Sequence, residues 1–137
     1  MPYPAVADIL TRRADELSGK IVVDITNPLD FETFDSLIVP AELPRSRVLK
    51  AFNTNFAATL LLSGVVGEAE LPTTVLIIGD DADAKSLLAD VVTAGGLRAV
   101  DAGSLKRARE LEALGFLQLT LAAGERNPWT GGFGVVG

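Results

Sequence analysis

Residues 74–103 read TVLIIGDDADAKSLLADVVTAGGLRAVDAG, and this stretch decides the fold. Thr74–Asp80 is an unbroken aliphatic and β-branched run, the pattern of a strand buried on both faces. Between Asp83 and Ala94 the apolar residues recur at helical spacing. Gly95-Gly96 follows and forms a ready C-cap pair. Leu97–Gly103 then reads as another strand. A strand, a helix and a strand joined by short connections predict a crossover and a parallel pair.

The flanking segments extend the same alternation. Val6–Leu17 (VADILTRRADEL) sets apolar residues at helical spacing with charges between them, and Ser18-Gly19 ends that helix. Lys20–Thr26 (KIVVDIT) is a short strand closed by Asn27-Pro28. Residues 29–44 show no clean period and read as loop with a helical turn. Ser46–Asn53 (SRVLKAFN) predicts a strand, Phe56–Leu62 a short helix, and residues 63–72 an irregular connection. Ser104 stands where it can cap a helix from Leu105 to about Ala123. Within that helix Phe116, Leu117, Leu119 and Leu121 read as core. The expected architecture is α/β: a mainly parallel sheet of about four strands with helices on both faces. Residues 1–123 form one domain, and residues 124–137 a glycine-rich tail.

Composition narrows the chemistry. Of 137 residues 48% are apolar and 22% charged, enough to bury a sizeable core. The net charge is −6 and no Lys/Arg cluster stands out, which argues against nucleic acid or an anionic membrane as partner. A phosphorylated small molecule remains open, since it needs only a local cation or a helix N-terminus. The chain has neither cysteine nor histidine. Thiolate nucleophiles, Cys-ligated metals and the commonest general base are therefore absent from it. No signal peptide is visible, and no apolar run reaches the roughly 18 residues of a membrane span. A cytoplasmic location is the default expectation.

Three motifs invite chemistry. Gly132–Gly137 (GFGVVG) matches G-x-G-x-x-G letter for letter, but no strand pattern precedes it and no helix follows it within the chain. Without that context there is no helix N-terminus for a pyrophosphate, so a flexible or docked tail is expected. Gly79-Asp80-Asp81 invites a metal, yet Asp81 ahead of a helix reads as an N-cap, and two carboxylates alone hold metal poorly. Glu110 and Glu112 lie two apart on a helix and cannot share a face, so they are not read as an acid/base pair. No catalytic acid, base or metal ligand is assigned.

In open parallel sheets ligands bind beyond the carboxyl ends of the strands. Here those ends are Asp24–Pro28, Lys50–Asn55, Gly79–Asp81 and Asp101–Leu105. The first two carry Asn27, Asn53, Thr54 and Asn55, which can grip an amide-bearing ring such as nicotinamide or the polar edge of a flavin-like ring. They can equally be ordinary turn formers and caps.

Five segments in order carry a resemblance: MPYPAVADIL, GKIVVDITNPL, SRVLKAFNTNFA, VLIIGDDADAKSLLADVV and GGLRAVDAGSLKRARELEALGFL. Together they resemble the NADPH-dependent reductases of the deazaflavin coenzyme F-420, and the related NADP-binding domain of six-transmembrane metalloreductases. The likeness covers residues 1 to about 121. It implies the C-terminal portion of a Rossmann-like NAD(P)-binding domain whose glycine loop lies upstream of this chain's first residue, so that the chain is a truncation or begins at a misread start codon. It implies NADP as cofactor, with coenzyme F-420 or a flavin as hydride acceptor. It also assigns cofactor-binding residues. Pro2 and Tyr3 would lie beside the ribose or pyrophosphate, Asn27 and Pro28 by the nicotinamide, and Asn53, Thr54 and Phe56 where the rings stack. In such an enzyme the cofactors carry the hydride and the protein aligns them. The alternative is a non-catalytic α/β interaction module that has lost its nucleotide and survives by dimerising. Either way a sheet short of its first strands exposes an edge, so a homo-oligomer is expected.

Overall fold

The βαβ unit expected at residues 74–103 is present, and the rest of the chain is built around it. The structure is a computed structural model that describes residues 5–28, 38–61, 65–66 and 71–137. In chain order the elements are α1 (Val6–Leu17), β1 (Ile21–Asp24), α2 (Ile38–Glu42), β2 (Arg47–Lys50), α3 (Ala57–Leu61), β3 (Val65–Val66), β4 (Leu71–Pro72), β5 (Thr74–Gly79), α4 (Ala82–Ala94), β6 (Arg98–Gly103), a 3-10 turn (Leu105–Arg107) and α5 (Ala108–Ala123). The main sheet has four strands in the order β1-β2-β5-β6, and β3 and β4 form a separate two-stranded pair.

Strand alternation assigns the helices to faces. Leu49, Ala51, Val75 and Ile77 are buried with Ala84 and Val92 of α4. The neighbouring residues in the two strands point the other way. Val48 is buried with Val6 and Leu10 of α1, and Ile78 with Ala108 and Leu111 of α5. Helices therefore cover both faces, which explains why the strands read as continuous apolar runs. None of the helices among the described residues is long and apolar enough to cross a membrane.

The sheet is parallel at β1–β2 and at β5–β6, but β2 and β5 run antiparallel. This corrects the expectation that four carboxyl ends share one edge. The ends of β1 and β2 lie on one edge, together with the starts of β5 and β6. The ends of β5 and β6 lie on the other. Spacing within a sequence reports that a strand exists, not which way it enters the sheet.

Local chemistry sets the ends of α4. Asp81 caps it as expected, its carboxylate accepting from the Ala84 N–H at 2.8 Å. At the other end Gly96 takes a φ of +81°. Its N–H donates to the Thr93 carbonyl at 2.9 Å, and the Leu97 N–H to that of Val92 at 3.2 Å. This is a Schellman ending, which needs a left-handed residue. Ser104 does not cap the next helix with its side chain. Asp80 does so from across the connection, its carboxylate accepting from the Leu105 N–H at 3.1 Å.

In α5 the residues facing the sheet are Ala108, Leu111, Glu112, Gly115, Gln118 and Ala122. Phe116 and Leu117, read from the sequence as core, are 37% and 50% exposed. Beyond Leu111 the helix lies close to the β2–α3 connection at Gly115, and the inward positions there are Gly115, Gln118 and Ala122, so Phe116 and Leu117 fall on the outer side. The tail is docked: the Phe133 carbonyl accepts from the Thr74 N–H at 3.0 Å, and the Val135 N–H donates to the Thr74 hydroxyl at 2.9 Å. GFGVVG is thus a segment laid against the start of β5.

Asp81 also receives a two-pronged ion pair from Arg47, Nε to Oδ2 at 2.6 Å and Nη2 to Oδ1 at 2.9 Å. That pair, followed by the Ala84 N–H, holds the Asp81 carboxyl well below the usual carboxylate range. A group depressed in the folded state stabilises above its unfolded pKa and loses that contribution as pH falls. Asparagine caps a helix about as well as aspartate, so Asp81→Asn removes the ion pair alone. In urea melts the variant should be less stable than the parent at pH 7. The gap should close as the pH is lowered through and below the ordinary carboxylate range.

Candidate functional site

The carboxyl ends of β1 and β2 converge on an amide pair. Asn27 follows β1 and Asn53 follows β2. The Asn27 side chain donates to the Asn53 carbonyl at 2.7 Å. The Asn53 side chain donates in return to Asn27 Oδ1 at 3.0 Å, and to the Leu111 carbonyl of α5 at 2.9 Å. Two neighbouring loops and one helix are tied at a single point. Gly115 allows the approach: a Cβ there would lie 2.9 Å from the Asn53 carbonyl and 3.0 Å from Asn27 Oδ1.

A buried charge cluster lies directly beneath. Lys50, the last residue of β2, is 1% exposed. Its ammonium pairs with Asp24 at 3.1 Å and with Glu112 at 3.0 Å, and donates to the Thr26 carbonyl at 2.8 Å. The other oxygen of Asp24 accepts from the Thr26 N–H at 2.8 Å and from its hydroxyl at 2.7 Å. The Thr26 turn that presents Asn27 is thereby fixed from below. Glu110, by contrast, is exposed and pairs with Arg107, so Glu110 and Glu112 point to opposite sides as their spacing requires.

Of the residues singled out from the sequence, Asn27 and Asn53 are in direct contact. Pro28 and Thr54 are buried in the same two loops. Phe56 stacks on Trp129, ring centroids 5.2 Å apart and planes tilted by 47°. Pro2 and Tyr3 lie outside the described residues. Asp80 and Asp81 sit at the far edge of the sheet, in a cleft of about 610 Å³ also lined by Arg47, Pro40, Pro44 and Leu105. There both carboxylates are engaged in caps and the ion pair.

The connection itself is strained and incompletely bonded. Phe52 takes a φ of +62°, a region non-glycine residues enter at a cost. The buried Oδ1 atoms of Asn53 and Asn55, and both amide atoms of Gln118, have no hydrogen-bond partner among the described residues. Buried acceptors of this kind are normally satisfied. The two Oδ1 atoms are acceptors of the kind a carboxamide –NH2 would pair with.

Sequence reading missed Lys50, Glu112, Gly115, Gln118 and Trp129. The residue pattern assigns Lys50 no role and sets Glu112 aside as an acid/base partner of Glu110, and only their places on inward-facing positions of β2 and α5 mark them as buried. The glycine inside a helix at position 115 was the available signal of close approach.

No family model matches the chain. Among curated proteins it is 28% identical over 147 residues to the F420-dependent NADP reductase of Methanocaldococcus jannaschii, covering 96% of this chain and 63% of that protein. Its fold matches a crystal structure from Arthrobacter sp. FB24, described as a candidate F420-dependent NADP-reductase, with a TM-score of 0.80 and 25% identity over 97% of this chain and 65% of that one. In sequence and in fold the chain is thus similar to F420-dependent NADP reductases. The chain is also 38% identical over 106 residues to the metalloreductase STEAP3 of Rattus norvegicus, covering 74% of the chain and 21% of that protein. A structure of a protein of unassigned function from Sinorhizobium meliloti matches with a TM-score of 0.62 and 32% identity, over 77% of this chain and 54% of that one. The chain thus spans less than two thirds of the length of each of these relatives.

Two substitutions separate the roles of this edge in stability. Gly115→Ala adds a methyl that collides with the amide pair, and should cost about 1–3 kcal/mol despite alanine's better helix propensity. Lys50→Met leaves Asp24 and Glu112 without their cation, and should cost about 3–5 kcal/mol. Urea denaturation of both variants against the parent measures the two effects.

Proposed function

We propose that this chain holds the nicotinamide end of NADP(H) and aligns it with a deazaflavin (coenzyme F420) or flavin-type ring, as part of an NADP-dependent oxidoreductase. The observation that carries the reading is the Asn27–Asn53 pair with its unsatisfied Asn53 acceptor, held at the carboxyl edge of β1 and β2. The similarity to relatives whose names couple NADP with F420 supports it.

In this reading Asn53 Oδ1 and Asn55 Oδ1 accept from the carboxamide, while Asn27 fixes the Asn53 backbone. Pro28 and Thr54 wall the site against water, and Phe56 offers a ring at its rim. Pro2 and Tyr3 are assigned to the ribose or pyrophosphate. When bound, the two cofactors supply the hydride donor and acceptor. The protein's own part is orientation, and the absence of histidine and cysteine fits that division. The protein works as a cytoplasmic homo-oligomer in this reading.

The test is NADPH oxidation with F420, and separately with a free flavin, as acceptor. The parent should turn over, and Asn27→Ala should lower kcat/KM by about 100-fold through misplacement. No NADP+ binding and no turnover by the parent would overturn the reading.

One observation favours the alternative, a non-catalytic interaction module. β1 and β6 are the outer strands of the sheet among the described residues, and each has one unpaired backbone edge. Such an edge invites strand addition. Sedimentation equilibrium decides: a dimer indifferent to NADP+, in a protein that does not bind it, supports the module.

A further inference from the structure

Trp129 is the chain's single tryptophan and is 53% exposed. It is nonetheless held in place from several sides. Its ring packs on Phe56 in the tilted arrangement aromatic pairs prefer. The turn that carries it closes with the Gly131 N–H donating to the Pro128 carbonyl at 2.8 Å. The hydroxyl of Thr59, itself 1% exposed, donates to the Gly131 carbonyl at 2.5 Å. Phe133 just beyond is bonded to Thr73 and Thr74. A large ring both exposed and immobilised is organised before any ligand arrives, which lowers the ordering cost of binding.

Beside the ring lies an open cleft of about 420 Å³, lined by Trp129, Pro128, Asn127, Arg126, Glu125 and Ala122. Its size is that of a small-molecule site. Arg126 is placed by the end of α5: Glu125 takes a left-handed φ of 56°, and the Arg126 N–H donates to the Leu121 carbonyl at 2.8 Å. Arg126 forms no side-chain ion pair among the described residues. Although Glu125 lines the same cleft, the Arg126 guanidinium is not paired with it and can receive an anion. A flat wall alone would suit any aromatic group. A guanidinium and the Asn127 amide beside it select a ring that carries hydrogen-bonding edges and a negative group.

We propose that Trp129 and Arg126 form a binding site for a planar heteroaromatic ring bearing an anionic substituent, and that this site seats the hydride acceptor. Phe56, which touches Trp129, lies three residues beyond Asn53 in the chain, so the platform is tied to the segment that carries the amide pair. The role as acceptor seat rests on the proposed function; the binding site itself does not.

Trp129 emission reports directly on the site. The chain is titrated with flavin mononucleotide, with riboflavin, which lacks the phosphate, and with NADP+. Flavin mononucleotide should quench saturably, and riboflavin should bind about tenfold more weakly. By equilibrium dialysis, Trp129→Ala should weaken flavin mononucleotide binding about tenfold and Trp129→Phe much less. Arg126→Gln, an exposed change, should erase the difference between the two flavins. NADP+ affinity should stay at the parent value in all three variants. Flavin mononucleotide binding unchanged in Trp129→Ala and Arg126→Gln, or no flavin binding by the parent, would overturn the proposal. A parent that binds flavin mononucleotide but not NADP+ sinks the proposed function and leaves this site standing. Variants that turn over F420 with the parent's KM do the reverse.

Discussion

One buried ammonium group holds this molecule's working edge together. Lys50 joins the end of β2 to the end of β1 through Asp24 and the Thr26 carbonyl, and to α5 through Glu112. Taking three charged groups out of water costs several kcal/mol per ion, and mutual attraction repays that only where every lone pair and proton is placed. The cluster therefore tolerates one arrangement of two strands and one helix. Everything above it inherits that arrangement: the Thr26 turn, the Asn27–Asn53 amide pair and the contact with Gly115. A wholly apolar junction could have been as stable, but it would have constrained the positions of these loops less.

The chain's two unlike halves meet at β2 and β5. Because those strands are antiparallel, the sheet has two different edges. One edge is closed by caps and paired charges: Asp81 with Arg47, Asp80 with the Leu105 N–H, Lys85 with Asp101. The other collects amides, an unusual Phe52 backbone, unsatisfied acceptors and an exposed tryptophan. Among the described residues the carboxylates of the first edge are engaged, whereas acceptors are left over at the second.

Much of this was legible in the sequence, for physical reasons. The four main strands announce themselves as short β-branched and aliphatic runs, most clearly at β5, because both faces of the sheet are covered. The span of α4 follows from Asp81 and Gly95-Gly96, local signals that act within a turn. The amide-rich strand ends pointed to Asn27 and Asn53. What could not be read depends on contacts distant in sequence. Strand direction at β5, the burial of Lys50 and Glu112, and the outward turn of Phe116 and Leu117 are all set by neighbours tens of residues away. Trp129 was hidden for the same reason, since its partner Phe56 belongs to another loop.

The clamp of Thr59 on the Gly131 carbonyl bridges 72 residues. Such a bond has a temporal side. During synthesis α3 emerges long before the segment that completes its packing, and the start of β5 waits likewise for Phe133 and Val135. The first half of the chain must therefore spend its time at the ribosome with part of its apolar surface uncovered. Closing the Thr59–Gly131 clamp carries the loop-closure entropy of 72 residues, which must be met before so distant a contact repays it.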